Sequence, residues 1–190
     1  MIRCLGLVFV LLLSTAARAS SVDFNNYSPL DTTVPVVSYQ GLTFTSNSPF
    51  MGLWGDSPNG NGTPALIAGY GSSTNGVTIT PTGGGAFDLD NFDMSISWYD
   101  GSSSLLVNVL ATLFGGGTES EQITLGQGIQ QYDLNLDNVT SVSVSGDPNG
   151  YWLMDNVNSN AGVTPEPGSL LLLGTGIAGL AAAIRRKMTA

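Results

Sequence analysis

The stretch FDLDNFDMSISW, residues 87–98, carries the clearest structural pattern in the chain. In its second half, from Phe92 onward, apolar and polar side chains alternate, which is typical of a strand with one buried and one solvated face. The apolar residues of the first half are out of step with that series by one position. The stretch therefore predicts a long β-strand with a bend or bulge at Asp90-Asn91.

Further short alternating runs fill the region 20–157, separated by Gly, Ser, Asn and Pro, and no amphipathic helix interrupts them. About ten strands in a region of this size predict an all-β fold, a two-sheet antiparallel β-sandwich of jelly-roll type. The first and last strands, 22–26 and 152–157, are expected to pair and close an edge. Residues 105–114 are apolar at nearly every position, which predicts a central strand buried on both faces.

A different pattern occupies VTPEPGSLLLLGTGIAGLAAAIRRK, residues 163–187. Because proline restricts its own backbone and that of the preceding residue, Pro165-Glu166-Pro167 is predicted to be an extended, exposed handle. Residues 168–184 are uncharged and mostly apolar, and as a transmembrane helix they span about 25 Å, near the lower limit for crossing a bilayer. The basic tail Arg185-Arg186-Lys187 should stay in the cytoplasm.

This order of parts resembles the PEP-CTERM sorting signal of bacteria that make exopolysaccharide. In that family an exosortase, an integral-membrane transpeptidase-like enzyme, recognises the tripeptide and removes the helix and the basic tail. The resemblance implies that Pro165, Glu166 and Pro167 are processing residues, that 165–187 is the sorting signal and that 158–164 is a linker. The alternative is a permanent tail anchor in which the tripeptide is incidental.

Residues 1–19 have the pattern of a secretory signal peptide. Arg3 supplies the positive charge, residues 5–13 form a short apolar core, and Ala17-Arg18-Ala19 matches the A-x-A cleavage pattern. We therefore predict cleavage after Ala19 and transport by the general secretion machinery. Cys4 is lost with the signal peptide, so disulfides cannot stabilise the mature domain.

The charged residues are distributed unevenly. All five Lys and Arg residues lie in the two targeting segments, whereas thirteen of the fourteen acids lie between Ser20 and Thr164, a region that also lacks histidine. Binding of nucleic acid depends on Lys and Arg at phosphates, so this acidic protein is not expected to bind it.

Most catalytic arrangements are excluded by composition, and we predict no catalytic residue. The absence of histidine from the chain and of cysteine and lysine from the mature region excludes Ser-His-Asp triads, Cys-His pairs and Schiff bases. Carboxylate pairs such as Asp88/Asp90 and Glu119/Glu121 are left, and they are the residues that a polysaccharide hydrolase would use. The alternative is that they are solvated acids beside turns.

The β region, with its VDF start, its central FDLDNFDMSISW and its closing WLMDNV, resembles lectin-like or carbohydrate-binding-module-like domains. The resemblance implies a structural Ca²⁺ between the first and last strands, held by Asp23 and Asp155, with the side-chain oxygen of Asn25 as a further ligand. That family usually has glutamate in the first strand, where this chain has aspartate. The alternative is that Asp155 only accepts hydrogen bonds at a strand end.

Sugar binding would use an exposed aromatic ring, whose flat apolar face can stack on a pyranose. Trp54 lies beside a loop rich in Gly, Pro and Asn and is the candidate for carbohydrate binding. The alternative is that its ring folds over the edge of the sandwich. Trp98 and Trp152 lie in well-patterned strands and are predicted to be core residues.

These observations predict an exported, non-enzymatic protein that is transiently anchored in the inner membrane and processed by exosortase. Its expected destination is the cell envelope, cell surface or extracellular matrix, in association with exopolysaccharide. A calcium-stabilised carbohydrate-binding module is the first alternative, and a carboxylate-dependent polysaccharide hydrolase is the second.

Overall fold

The computed structural model describes residues 20–28, 31–47, 50–55, 58–69, 76–97, 103–161 and 175–177. The predicted signal peptide, the Pro-Glu-Pro tripeptide and the basic tail lie outside these ranges. Residues 175–177 are helical, and none of the described helical segments has the length and apolar character that crossing a bilayer requires. The described strands are β1 Ser20–Val22, β2 Thr32–Thr33, β3 Val36–Tyr39, β4 Leu42–Ser46, β5 Met51–Trp54, β6 Ala65–Gly69, β7 Gly76–Pro81, β8 Phe87–Ile96, β9 Leu105–Leu113, β10 Thr118–Leu125, β11 Gln130–Gly146 and β12 Tyr151–Ser159.

All described strand pairs are antiparallel, and the predicted all-β class is confirmed. The strands form one curled sheet in the order β2-β5-β6-β12-β8-β11-β7-β4-β3 instead of two separate sheets. The first arm of this sheet comprises β2, β5, β6, β12 and β8, with β1 beside β12. The second arm comprises β7, β4 and β3, with β9 and β10 attached through β11.

The sheet is continuous because β11 belongs to both arms. The first part of this strand pairs with β8 and its last part with β7 and β9. Two register shifts separate these parts, and Asn135 and Asn138 lie at them with φ angles of 49° and 54°. Asparagine tolerates this left-handed conformation better than most residues, so the strand can bend there.

One apolar core lies between the arms. Both arms contribute fully buried aromatic side chains, including Phe44, Phe92 and Trp152. The predicted core position of Trp152 is confirmed, whereas Trp98 lies outside the described residues. Burial of these large apolar surfaces is the main stabilising term of the fold.

The irregularity predicted in β8 is confirmed. Phe87, Leu89, Phe92 and Met94 all belong to the core, although the first two and the last two differ in parity along the strand. The register with β12 shifts at this point. An extra residue at Asp90 lets the apolar side chains of both halves of the strand point into the core.

The prediction for β9 is wrong on one face. Val107 and Val109 are buried, but Leu106 and Leu110 on the opposite face are 47% and 45% exposed. Apolar composition alone suggested burial on both faces, yet no described element covers the outer side of this strand. The prediction of a second buried face therefore fails.

The predicted pairing of the first and last strands is confirmed, with Val22 opposite Val157. Their boundaries differ from the prediction. β1 ends at Val22 because the chain turns at Phe24, whose carbonyl accepts a hydrogen bond from the Tyr27 amide. β12 continues to Ser159, two residues past the predicted end of the last strand at 157.

Candidate functional site

The outer side of the first arm carries the candidate carbohydrate site. In β5, Met51 and Leu53 belong to the core, so the alternation of the strand turns Gly52 and Trp54 outward. The strand is held in place by β2 and β6, which pair with it on either side. Beyond its end, the Gly55 amide donates to Oδ1 of Asp31 at 3.0 Å.

Trp54 is one of three neighbouring aromatic residues on this side. Its ring centroid lies 5.6 Å from that of Phe50, which lies 5.3 Å from the ring of Tyr151 in an edge-to-face contact. All three side chains are partly exposed. We name Phe50, Trp54 and Tyr151 the aromatic cluster. The indole neither projects freely nor disappears into the core, and it forms part of a partly exposed apolar surface.

The loop of residues 58–64 lies on the same side of the first arm. The Asn59 side-chain amide donates to the Ile96 carbonyl, and the Ser95 hydroxyl donates to the Asn59 carbonyl, both at 3.0 Å. Asn61 Nδ2 and the Thr63 hydroxyl each donate to Oδ2 of Asp155 at 3.0 Å. The loop connecting β5 and β6 is therefore fastened to β8 and β12.

Asp155 is fully buried and is the central acceptor of this arrangement. Burial, and to a smaller extent the negative charge of Asp23, raises the pKa of its carboxyl from 3.8 to about 6. The hydrogen bonds from Asn61, from the Asn156 amide and from Thr63 act in the opposite direction, because they stabilise the charged form. Desolvation outweighs these donors, so the ionised carboxylate destabilises the folded state near neutral pH.

The predicted calcium ligands Asp23 and Asp155 lie close to the Val22–Val157 pair of β1 and β12, and the negative charge of Asp23 contributes to the raised pKa of Asp155. Both carboxylates already accept hydrogen bonds, that of Asp23 from the Asn25 backbone amide at 3.2 Å. Within the described ranges, no three His, Cys, Asp or Glu side chains group so as to hold a metal. The hydrogen bonds that Asp155 accepts agree with the alternative interpretation of this residue.

The two carboxylate pairs considered for hydrolysis lie in different surroundings. Asp88 accepts hydrogen bonds from Asn160 Nδ2 and, at 2.7 Å, from the Asn138 amide, which gives it a structural role. Glu119 and Glu121 are exposed on β10 beside a cavity of about 130 Å³. Buried Val109, Leu134 and Leu136 line that cavity. Charged side chains on a strand at the sheet margin also discourage pairing with another chain.

Sequence reasoning proposed Trp54 and Asp155 as site residues but did not name the residues that surround them. Phe50 and Tyr151 join Trp54 only because β6 lies between β5 and β12 and pairs with both. Asn61 and Thr63 contact a carboxylate more than ninety positions away. The one local signal for these polar contacts was the density of Asn and Gly in the loop.

The C-terminal segment matches a known sorting motif. The family model of the PEP-CTERM protein-sorting motif matches residues 163–187, and the chain therefore carries this motif. The motif implies an exported protein that is anchored transiently in the membrane before exosortase sorts it. A comparison with curated proteins found no match.

The β region is similar to carbohydrate-binding modules among solved structures. The C-terminal family 22 carbohydrate-binding module of Clostridium thermocellum Xyn10B is 14% identical with a TM-score of 0.48, covering 76% of this chain and 95% of that one. The CBM22-1 xylan-binding domain of Paenibacillus barcinonensis Xyn10C is 14% identical with a TM-score of 0.41, covering 74% and 91%. The CBM22-1–GH10 modules of Clostridium thermocellum xylanase 10B are 11% identical with a TM-score of 0.46, and the match covers 74% of this chain but 28% of that one.

Proposed function

We propose that this chain is an exported, non-catalytic protein that exosortase processes at Pro165-Glu166-Pro167 and releases, and that its β domain binds polysaccharide outside the cell. The sorting motif at residues 163–187 supports the first half of this proposal. The aromatic cluster supports the second half and is the observation that carries it.

The aromatic cluster suits the apolar face of a sugar ring. Phe50, Trp54 and Tyr151 together offer a partly exposed apolar surface on the outer side of the sheet. In the loop that follows β5, the side-chain NH₂ groups of Asn59 and Asn61 each carry a second hydrogen besides the one donated to Ile96 or Asp155, and this hydrogen can be donated to a sugar hydroxyl. Sugar sites commonly combine a few polar groups that fix orientation with an apolar surface that supplies contact area.

The charge of the domain disfavours acidic polysaccharides. No Lys, Arg or His lies between Ser20 and Thr164, whereas thirteen acids do. A polymer rich in uronate or other acidic groups would meet only like charge on the surface, which disfavours association. A neutral exopolysaccharide of the producing cell is therefore the proposed ligand.

A binding measurement tests the polysaccharide half. The protein purified from culture is expected to pull down neutral polysaccharide from the same cells, and Trp54→Ala is expected to lower the affinity at least about tenfold, the loss expected for removal of one stacking ring. Phe114→Ala is the matched control, because Phe114 is 62% exposed on a turn that contributes nothing to the cluster. Equal binding by all three proteins would contradict the proposal.

Pulse-chase labelling tests the sorting half. In cells with exosortase the precursor should shorten at its C-terminal end, whereas in an exosortase deletion strain it should persist. An identical C-terminus in both strains would overturn processing at the tripeptide.

Calcium binding at Asp23 and Asp155 is a second proposal, favoured by the proximity of these two carboxylates. The donors that Asp155 now binds, Asn61 and Thr63, also carry oxygen atoms, which are the ligands that Ca²⁺ prefers. An ion bound only by the folded state raises the melting temperature. Calcium is therefore expected to raise the melting temperature relative to chelator, and Asp155→Asn to remove the difference. Equal melting temperatures in calcium and chelator would dismiss the site.

A further inference from the structure

The last residues of the β domain are fastened by one aspartate. The Asn160 amide donates to the Asp88 carbonyl at 3.2 Å, and the Asp88 amide donates to Asn160 Oδ1 at 2.6 Å. Asn160 Nδ2 donates to Oδ2 of Asp88. The other carboxylate oxygen of Asp88 accepts the Asn138 amide at 2.7 Å. We name Asp88 and Asn160 the latch, because they join the end of β12 to β8 and β11.

Ordered structure continues one residue past the latch. The Ala161 amide donates to the Ser159 hydroxyl at 3.3 Å, and Ala161 is 4% exposed. Both Asn160 and Ala161 fall within the predicted linker 158–164. Residues 162–164 alone separate Ala161 from the tripeptide, and a fully extended chain bridges that separation over about 14 Å.

The tripeptide follows closely on the β domain in sequence. The predicted membrane-spanning run begins at Gly168, directly after the tripeptide, so little chain separates the domain from that run. Proteases cut backbone that is free of hydrogen-bonded structure, and cleavage near folded structure follows the population of the locally opened state. Freeing Asn160 and Ala161 would add two residues to the three, 162–164, that separate Ala161 from the tripeptide in sequence.

We propose that the latch sets the rate at which exosortase cleaves the tripeptide. The inference rests on the proposed function, since it needs exosortase as the processing enzyme. Opening the latch releases Asn160 and Ala161 and gives the enzyme a longer extended segment to bind. Both latch residues are partly exposed and lie where β12 ends, and strand ends open most readily.

The latch also gives Asp88 a role that does not involve catalysis. Its carboxylate connects two backbone segments that are distant in sequence, at Asn138 and Asn160. A purely structural latch would affect only the stability of the domain. A latch that controls cleavage must also change the rate of processing. The two roles are therefore separable by experiment.

Pulse-chase labelling of the full chain in cells with exosortase provides the test. Asn160→Ala and Asp88→Asn are expected to be processed about 10- to 100-fold faster than wild type. Losing a hydrogen bond to a charged group raises the population of the opened state by about this factor. The matched control is Asn158→Ala, two positions upstream, which loses the 2.6 Å hydrogen bond from Asn158 Nδ2 to Asn91 Oδ1 but leaves the latch intact. It should be processed at the wild-type rate.

An insertion variant keeps the test valid if a latch variant folds poorly. Insertion of four Gly/Ser residues after Ala161 leaves the domain unchanged and lengthens the tether. This insertion should speed processing of the wild type and abolish the difference between wild type and Asn160→Ala. If the wild type is cleaved and the latch variants and the insertion variant are cleaved at the same rate, the proposal about the latch is wrong while the proposed function stands. An uncleaved wild type in the same cells would overturn the proposed function together with it.

Discussion

The indole of Trp54 lies over the α-carbon of Gly52, where a β-carbon would clash with Cζ3 of the ring. The Thr32 carbonyl oxygen on the neighbouring strand would be 2.7 Å from the same β-carbon. Position 52 therefore has no room for a side chain while the indole occupies this place. The missing side chain lets the ring lie on the sheet next to Phe50, and the aromatic cluster depends on it.

Replacing Gly52 by alanine should disrupt the cluster. The methyl group must displace either the indole or the Thr32 backbone, and overpacking of this kind costs about 1–3 kcal/mol of unfolding free energy. Affinity for the proposed polysaccharide should fall together with stability. Denaturant unfolding and a binding titration measure the two effects. Gly115→Ala is the control, because a β-carbon at that position would meet no atom within 4 Å and the φ of Gly115 is not in the left-handed region. A Gly52→Ala protein that matches this control in both measurements would contradict the packing of Trp54 on Gly52.

The buried carboxyl of Asp155 predicts a pH dependence of stability. Its pKa is about 6 in the folded state and ordinarily 3.8, so the folded state favours the protonated form. Its stabilising contribution is complete below pH 3.8 and is lost as the pH rises through 6. Since each pH unit in that window is worth about 1.4 kcal/mol, Asp155 should lower the unfolding free energy by about 3 kcal/mol between about pH 4 and pH 7.

Urea unfolding across this pH range measures the effect. Two other acids approach Asp155, namely Asp23 through its charge and Asp93 as its cross-strand neighbour on β8. Asp155→Asn retains both of them and removes the buried titrating group, although it also replaces one of the two acceptor oxygens by an NH₂ group. Its unfolding free energy should therefore decline less steeply with pH than that of wild type. Parallel pH profiles for the two proteins would exclude a raised pKa at Asp155.

Loss of Asn61 should weaken the loop in a pH-dependent manner. Its Nδ2 donates to the ionised Asp155 carboxylate, and a hydrogen bond to a charged group contributes about 1.5–3 kcal/mol. Asn61→Ala should therefore cost about this much at pH 8 and less at pH 4, where the carboxyl is neutral. Asn108→Ala breaks an exposed bond between neutral side chains and should cost less at both values. An Asn61→Ala cost that is the same at both pH values would argue against this contact.

The two faces of β9 should respond differently to the same replacement. Val109→Thr places a hydroxyl at a buried position and should cost about 1–3 kcal/mol. Leu110→Thr changes an exposed side chain on the adjacent residue and should stay within about 0.5 kcal/mol of wild type. Chemical denaturation of both variants measures the difference. A large loss in Leu110→Thr would mean that the outer face is covered.

The alternation of apolar and polar residues predicted individual strands and their irregularities. Alternation located β8 and its irregularity at Asp90, where the register with β12 shifts. The bends within β11 were not predictable in this way. Its buried Leu134, Leu136, Val142 and Val144 share one parity and read as a regular strand, whereas the chain bends at Asn135 and Asn138, whose backbone is left-handed.

The candidate site was predictable only at single positions. Trp54 was identifiable because an aromatic residue stands before a Gly- and Asn-rich loop. Its partners Phe50 and Tyr151 come together through the pairing of β5, β6 and β12, which is a property of the topology. The burial of Asp155 likewise depends on the loop of residues 58–64 lying on the outer side of the sheet. Neither fact leaves a local signal in sequence.

Intact-mass spectrometry of the native protein recovered from the culture tests the central claim most directly. We predict a single species that begins at Ser20, the first residue of β1, and lacks the helix and Arg185-Arg186-Lys187. Peptide mapping of the same sample identifies both ends. A recovered protein that still contains Met1, or one that retains the basic tail, would contradict export followed by removal of the sorting signal.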